Sequence, residues 1–210
     1  MSTGHLITFE GIEGSGKTTQ IQLLESHLRN RGLRVCVTRE PGGTQLGERL
    51  RELLLDPALL PQPLSELLIL EAARAQLVAT KIQPALASGQ WVLCDRFADS
   101  SLAYQGSARG LGWELVRPLN ALACGGVCPV RTLVLDLDVS AALARARQRP
   151  TMTAHNRRFE DENLSFHRAV AAGFQALAAA EPDRVRRVDA GGSPEQVHDR
   201  VLAELSDLLQ

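Results

Sequence analysis

The sequence contains little lysine, few aromatic residues and no long apolar run. Only two of its 23 basic residues are lysines, Lys17 and Lys81, and aromatic side chains make up 4% of the 210 residues. No stretch approaches the roughly 18 continuous apolar residues that cross a membrane. The N-terminal residues also lack the basic stretch and apolar run of a signal peptide, so we expect a cytoplasmic location.

The chain has no excess of charge of either sign. Its 24 acidic residues offset the 23 basic ones, which leaves a net charge of −1. This balance argues against nucleic acid or a membrane surface as a partner, because both are bound through large basic faces. Hydrophobic residues make up 44% of the chain, which excludes a disordered protein. The length predicts a single domain over residues 1–210.

The four cysteines do not form a pattern that predicts metal binding. Cys36 and Cys94 lie in apolar, strand-like segments, where buried free thiols are common. Cys124 and Cys128 are spaced like half of a zinc site, but no second pair or neighbouring histidine completes four ligands. The sequence therefore favours reduced thiols over zinc.

Apolar runs that predict strands alternate with segments of helical periodicity along the chain. The predicted strands cover residues 6–9, 33–38, 91–94, 132–137 and 185–188. The helical patterns cover residues 17–31, 45–55, 64–88, 113–123, 139–149, 160–180 and 194–209. This alternation predicts an α/β fold in which helices cover both faces of a parallel sheet. Such sheets bind ligands beyond the carboxyl ends of their strands.

Residues 11–18 satisfy the pattern G-x-x-x-x-G-K-[ST] in full. A predicted strand precedes them and a helix follows, as in a P-loop, whose backbone N–H groups surround phosphate oxygens. Lys17 is expected to reach the β- and γ-phosphates of ATP, and the Thr18 hydroxyl to bind Mg²⁺. The predicted ATP-binding residues are Gly11, Ile12, Glu13, Gly14, Ser15, Gly16, Lys17, Thr18 and Thr19. The chain has no Asn-Lys pair, so it lacks the guanine-binding pattern of a GTPase.

Charged residues follow the second and third predicted strands. Asp95 ends an apolar strand, where we expect it to hold Mg²⁺ through water and so to assist catalysis; an aspartate in an ordinary turn is the alternative. Arg39 follows the second strand, Arg96 follows the third, and Arg74 lies on the long predicted helix. Each arginine alone is typical of a surface ion pair, but together they could bind a phosphate group.

The segment 139–159 holds five arginines and no acidic residue: Arg145, Arg147, Arg149, Arg157 and Arg158. A solvent-exposed helix usually mixes the two signs of charge. We interpret residues from about 145 to 160 as a lid whose arginines stabilise the transferring phosphoryl group, with a plain basic surface as the alternative. The leading catalytic candidate is Arg149, followed by Arg145 and Arg158.

Together these motifs resemble the thymidylate kinases. The matching runs stand at residues 11–18, 38–44 (Thr-Arg-Glu-Pro-Gly-Gly-Thr), 72–74 (Ala-Ala-Arg), 95–97 (Asp-Arg-Phe) and 103–106 (Ala-Tyr-Gln-Gly), in the order and spacing of that family. The resemblance implies the P-loop nucleoside monophosphate kinase fold, with a five-stranded parallel sheet, and a homodimer. It also implies Mg²⁺-dependent transfer of the ATP γ-phosphoryl group to dTMP.

The resemblance further implies how the acceptor is bound. Arg74 and Arg96 would hold the dTMP phosphate, with Arg39 nearby. Glu13 would face the 3′-hydroxyl of the deoxyribose, and Tyr104 would crowd the 2′ position. A merely solvated Glu13 and a half-buried helical Tyr104 are the alternatives. Three polar residues would lie along the thymine edge: Ser100, Ser101 and Gln105.

Two positions depart from the family pattern. Leu70 stands four residues before Arg74, where the family usually has a phenylalanine that stacks on thymine, and leucine has no π face. Arg157 stands where the lid usually has an aspartate. These departures leave two other functions open: a kinase for another nucleoside monophosphate or a small metabolite, and a nucleotide-binding module that has lost turnover.

Overall fold

Five parallel strands form the central sheet in a computed structural model that describes residues 4–148, 158–159 and 162–209. The strands are β1 (Leu6–Glu10), β2 (Val35–Arg39), β3 (Trp91–Asp95), β4 (Arg131–Asp136) and β5 (Val185–Asp189). Their order across the sheet is β2-β3-β1-β4-β5, and every neighbouring pair is parallel. The five-stranded parallel sheet predicted above is thus confirmed.

The described residues also form helices that connect and cover these strands. They are α1 (Lys17–Asn30), α2 (Gln45–Leu55), α3 (Pro63–Leu77), α4 (Gln83–Ala87), α5 (Ala98–Ser101), α6 (Trp113–Cys124), α7 (Val139–Arg147), α8 (Leu164–Ala180) and α9 (Pro194–Ala203). None of these helices combines the length and the apolar character needed to cross a membrane.

Two π-helical segments interrupt the α-helical pattern. Val78–Ile82 joins α3 to α4, and Pro84 is the second residue of α4. A proline has no N–H for the regular α-helical hydrogen bond, and the π-helical turn before it lets the predicted long helix continue past this position. Leu102–Ala108 extends α5 into one helical stretch. The sequence did not predict this second stretch, which carries Tyr104 of the predicted site.

Helices on both faces of the sheet bury β1 along its whole length. On one face Ile7 and Phe9 pack with Leu24 of α1 and Val201 of α9. On the other face Leu6 packs with the side chains of α3 and of the π-helical segment that follows it. The sheet is therefore a rigid platform, and its carboxyl edge presents the loops.

The register of the strands places the predicted motifs side by side. Phe9 of β1 and Arg39 of β2 both pair with Asp95, the last residue of β3. The loop that starts at Gly11 therefore lies beside Asp95 and Arg96 at the carboxyl edge of the sheet.

Candidate active site

The P-loop joins β1 to α1, and Lys17 folds back over it. The Lys17 Nζ donates hydrogen bonds to the carbonyl oxygens of Gly11 at 3.0 Å and Ile12 at 3.1 Å. Burial, together with the positive charge of Arg96, lowers the pKa of the Lys17 ammonium to about 8, against the opposing effect of Asp95. A bound polyphosphate would add negative charge beside the Lys17 ammonium and so favour its charged form.

A glycine inside the loop lets a later helix pack against it. Gly14 has a φ of 81°, and a Cβ atom there would lie 1.9 Å from the carbonyl oxygen of Ala142 in α7. No side chain fits between the loop and α7. The predicted lid therefore begins on a helix that contacts the P-loop directly.

A cleft of about 300 Å³ opens beside the P-loop. Its lining includes predicted residues of both the nucleotide and the acceptor side: Glu13, Lys17, Thr18, Arg39, Leu70, Arg74, Asp95, Arg96, Ser100, Ser101, Tyr104 and Gln105. Five lining residues were not singled out as site residues: Glu40, Pro41, Arg51, Leu55 and Phe159. Of the other P-loop residues, Ile12 and Ser15 are buried, and Thr19 is exposed in the first turn of α1.

Two oxygen-bearing side chains of the cleft, Thr18 and Asp95, meet between the P-loop and β3. The Thr18 hydroxyl lies 3.3 Å from the Asp95 carboxylate and donates to it. A hydroxyl and a carboxylate are hard oxygen ligands of the kind that Mg²⁺ prefers, and Mg²⁺ commonly takes one or two protein ligands beside substrate phosphates. These residues therefore fit the metal of a Mg²⁺–nucleotide complex.

Arg96 connects the P-loop to the acceptor side of the cleft. Its φ of 68° is in the left-handed region, unlike that of any other non-glycine residue in the described ranges, and such strain often occurs at functional sites. Its guanidinium donates to Glu13 Oε1 at 2.8 Å and lies 4.9 Å from the centroid of the Tyr104 ring. The Tyr104 hydroxyl donates to the same Glu13 oxygen at 2.9 Å. Burial by itself raises the pKa of Glu13, but Arg96 and Lys17 bring it below its ordinary value.

Glu10, at the end of β1, lies next to this cluster on the sheet side, and the sequence did not predict its role. It is fully buried at the end of β1, where it accepts hydrogen bonds from the Phe97 N–H at 2.8 Å and the Ser100 hydroxyl at 2.6 Å. Burial raises its pKa to about 7, although Arg96 opposes the shift. A charged residue at the end of an otherwise apolar strand was the one available signal.

Arg74 lies at the deep end of the cleft with its donors engaged. It is 2% exposed, and it donates to Glu40 at 2.9 Å, Glu71 at 2.7 Å, Asn120 at 2.8 Å and the Ser101 hydroxyl at 3.0 Å. Burial raises the pKa of Glu40 to about 7 despite its bond to Arg74. These bonds make Arg74 part of a rigid wall, and its contact with the acceptor phosphate stays a prediction.

Two further arginines face the cleft from β2 and α2. The exposed Arg39 pairs with Glu48 at 2.8 Å. Arg51 donates to the Pro41 carbonyl oxygen at 3.1 Å, and burial together with Arg39 lowers its pKa. Arg51 could not be separated from Arg49 on the same helix before the structure was known, because only the fold turns Arg51 toward the cleft.

The predicted lid is described only in part. Arg149 and Arg157 lie outside the described residues, and Arg145 and Arg147 are exposed near the end of α7. Arg158 donates to Glu66 at 2.5 Å and to the Leu54 carbonyl oxygen at 2.6 Å. The catalytic roles of Arg145, Arg149 and Arg158 therefore stay predictions.

Known proteins resemble this chain over nearly its full length. The family model described as thymidylate kinase matches residues 9–201. A thymidylate kinase of Deinococcus radiodurans is 49% identical over 99% of this chain and 98% of its own length. One of Synechococcus sp. (strain JA-3-3Ab) is 55% identical over 93% of this chain and 92% of its own. The crystal structure of thymidylate kinase from Ehrlichia chaffeensis matches 99% of this chain and 100% of its own, with a TM-score of 0.78 and 34% identity.

The P-loop beside an arginine-lined cleft, on a sheet of this order, defines an ATP-dependent nucleoside monophosphate kinase, a phosphotransferase. The matching family model and relatives narrow the class. The chain belongs to the thymidylate kinase family. This finding supports the main interpretation of the sequence over a nucleotide-binding module without turnover.

Proposed function

We propose that this protein transfers the γ-phosphoryl group of ATP to a phosphate oxygen of dTMP, which gives ADP and dTDP for dTTP synthesis. One observation carries the proposal: a single cleft runs from the P-loop to a pocket formed by Arg96, Tyr104 and Gln105. Donor and acceptor phosphates can therefore meet in one cavity. Relatives named thymidylate kinase at about half identity support dTMP as the acceptor.

Catalysis in this cleft consists of positioning and charge neutralisation. The acceptor phosphate is already ionised at pH 7, so the reaction needs no general base. Lys17 and the P-loop N–H groups hold the ATP phosphates, and Thr18 and Asp95 would hold Mg²⁺, which neutralises phosphate charge when bound. Fixed cations in a site closed to water stabilise the transition state without reorganisation.

The acceptor side selects a deoxynucleotide by shape. Arg96 and the exposed side chain of Arg39 would hold the phosphate, with Arg74 behind them. Glu13 would accept a hydrogen bond from the 3′-hydroxyl, because its low pKa keeps it ionised. The Tyr104 ring, fixed by its bond to Glu13, would leave no space for a 2′-hydroxyl. The thymine edge would face Ser100, Ser101 and Gln105.

We assign the lid to residues of about 145–160 within a single domain that spans 1–210. In this proposal Arg149 and Arg145 supply positive charge to the transferring group, because residues 12–15 of the P-loop contain no basic side chain. Arg158 reaches the phosphates only if its pair with Glu66 opens. Closure of the lid would exclude water and limit hydrolysis of ATP.

A coupled assay of ADP release tests the function directly. The acceptors are dTMP, dUMP, dGMP and CMP, with Mg²⁺–ATP as donor, and a reaction without acceptor gives the rate of ATP hydrolysis. We expect dTMP to give the highest kcat/KM. A clear preference for dGMP or CMP would point to another nucleoside monophosphate kinase, and ATP binding without transfer to any acceptor would point to a binding module.

Leu70→Phe is expected to lower the KM for dTMP. Leu70 is half-buried and lines the cleft, so a phenylalanine there gains a face on which the base can stack. A stacked aromatic pair contributes enough for a decrease of about two- to tenfold. Steady-state kinetics with dTMP as the varied substrate measure this change. A KM equal to or above that of the wild type would contradict the prediction.

We propose that the protein is a cytoplasmic homodimer. All four cysteines are free thiols, which suits a reducing compartment.

The proposed dimer surface lies on the neighbouring helices α2, α3 and α6. These helices expose five leucines, Leu53, Leu64, Leu68, Leu115 and Leu122. Exposed apolar side chains of this kind favour contact with a second copy of the chain. Sedimentation should give about twice the monomer mass. Leu68→Glu should shift it to the monomer, and Leu164→Glu on α8 should not.

A further inference from the structure

Glu66 lies behind the wall of the acceptor pocket and joins three parts of the molecule. It stands in the first turn of α3, is 1% exposed and does not line the cleft. Its Oε1 accepts a hydrogen bond from Gln105 Nε2 at 2.8 Å, and Gln105 does line the cleft. Its Oε2 accepts one from Arg158 in the predicted lid at 2.5 Å. Arg109 donates to both oxygens at 3.3 Å.

The pair formed by Glu66 and Arg158 places the neighbouring side chain of the lid, Phe159, at the acceptor pocket. Arg158 is also bonded to the Leu54 carbonyl oxygen at the end of α2, at 2.6 Å, so two elements of the wall hold it. The next residue, Phe159, lines the cleft. Its ring lies edge-on to Tyr104 with the centroids 6.0 Å apart. Phe159 therefore closes the pocket beside the ring that crowds the sugar.

The charges make this arrangement depend on Glu66. Arg109 has a second carboxylate partner, Glu162, at 2.7 Å. For Arg158, Glu66 is the carboxylate partner that the described residues provide, and the Arg158 side chain is 10% exposed. Removal of one member of such a buried pair leaves an uncompensated charge, which is strongly unfavourable. Without Glu66, we expect Arg158 to turn toward solvent and the adjacent Phe159 to lose its contact with Tyr104.

We propose that Glu66 is a positioning residue that makes docking of Arg158 and Phe159 and formation of the acceptor pocket one cooperative event. The proposal rests on the function proposed above and assigns the residue pair a task in that reaction. Glu66 fixes Gln105 from behind the pocket and Phe159 across its opening. It touches no substrate, so its effect falls on acceptor binding and little on ATP.

Steady-state kinetics of four variants test this proposal with dTMP and ATP varied separately. Glu66→Gln and Phe159→Ala should each raise the KM for dTMP by about tenfold, with the KM for ATP within about twofold of wild type. Arg158→Met should raise it similarly, and the double variant Glu66→Gln/Arg158→Met should show little further change. Non-additivity of this kind is expected only if the two residues act as one unit.

Glu162→Gln is the matched control. It removes a carboxylate from Arg109 but leaves Glu66 with Gln105 and Arg158, so the KM for dTMP should stay within about twofold of wild type. An unchanged KM for dTMP in folded Glu66→Gln, equal increases in both KM values, or additive effects in the double variant would overturn the proposal. If Glu66→Gln does not fold, Arg158→Met and Phe159→Ala decide by the same criteria. A wild-type protein inactive with dTMP would reject the proposed function instead.

Discussion

Lys17→Ala is expected to lower kcat/KM for phosphoryl transfer by about 10³-fold, the upper range for loss of one fixed group that stabilises transition-state charge. Lys17 is the lysine of the P-loop, and its Nζ already lies within 3.1 Å of two loop carbonyl oxygens. Alanine leaves no cation there to follow the charge that moves onto the β–γ bridging oxygen. The loss should therefore appear in kcat as well as in the KM for ATP.

The chain supplies its own control for this substitution. Lys81, the second of its two lysines, lies in the π-helical segment Val78–Ile82 and does not line the cleft. Lys81→Ala should keep wild-type activity in the same ADP-release assay. Melting temperatures of both variants would show whether the loop remains folded, since Lys17 also binds its carbonyl groups. Near-normal turnover by Lys17→Ala would refute the proposed role of the P-loop.

Arg96→Met is expected to reduce kcat/KM for dTMP by about 10²-fold, mainly through KM. The substitution removes a cation proposed to hold the acceptor phosphate. It also removes the stronger of the two cations, Arg96 and Lys17, that keep the pKa of Glu13 low, so this carboxylate would repel the incoming phosphate or take up a proton. The Tyr104 ring would lose the guanidinium stacked against it. All three changes weaken acceptor binding, whereas the KM for ATP should change much less.

Arg117→Met provides the comparison for Arg96. Arg117 also lies over an aromatic ring, that of Trp113 at 5.3 Å, and also pairs with a glutamate, Glu181 at 3.3 Å, but it is outside the cleft. Its replacement should leave both KM values unchanged. Equal losses in the two variants would show that general destabilisation, and not acceptor binding, explains the effect of Arg96→Met.

Much of the fold was predictable because its signals are local. The strands of a parallel sheet are short apolar runs, and the helices between them repeat their apolar residues at helical spacing. Both signals were present, and the structure confirms the alternation and the five strands. The helical stretch from Ala98 to Ala108 was missed because most of its residues are small or polar and its few large apolar residues do not repeat at helical spacing, and because its π-helical geometry depends on what it packs against.

In the candidate site, too, the residues that belong to contiguous motifs were the ones that could be predicted. The P-loop is contiguous, so its pattern could be read directly, and the order of the motifs led, through the family resemblance, to the predicted acceptor residues. Glu10 and Arg51 gave no comparable signal, and Glu40 stood within a matching run without any sign of its own role. Their importance comes from burial and from partners far away in the chain, such as Arg74 for Glu40, 34 positions apart.

The residue types for this chemistry are visible in the sequence alone: a phosphate-binding loop pattern, an aspartate predicted to hold Mg²⁺, and many arginines in a chain with a net charge of −1. Which carboxylate each arginine pairs with, and whether that pair lines the cleft, could be learned only from the folded chain. Arg74 and Arg158 pair with the buried carboxylates of Glu40 and Glu66. Arg96 also pairs with a carboxylate, that of Glu13, and this pair lines the cleft beside the Tyr104 ring. A buried charge is held in place by its partners, and those partners meet only when the chain folds.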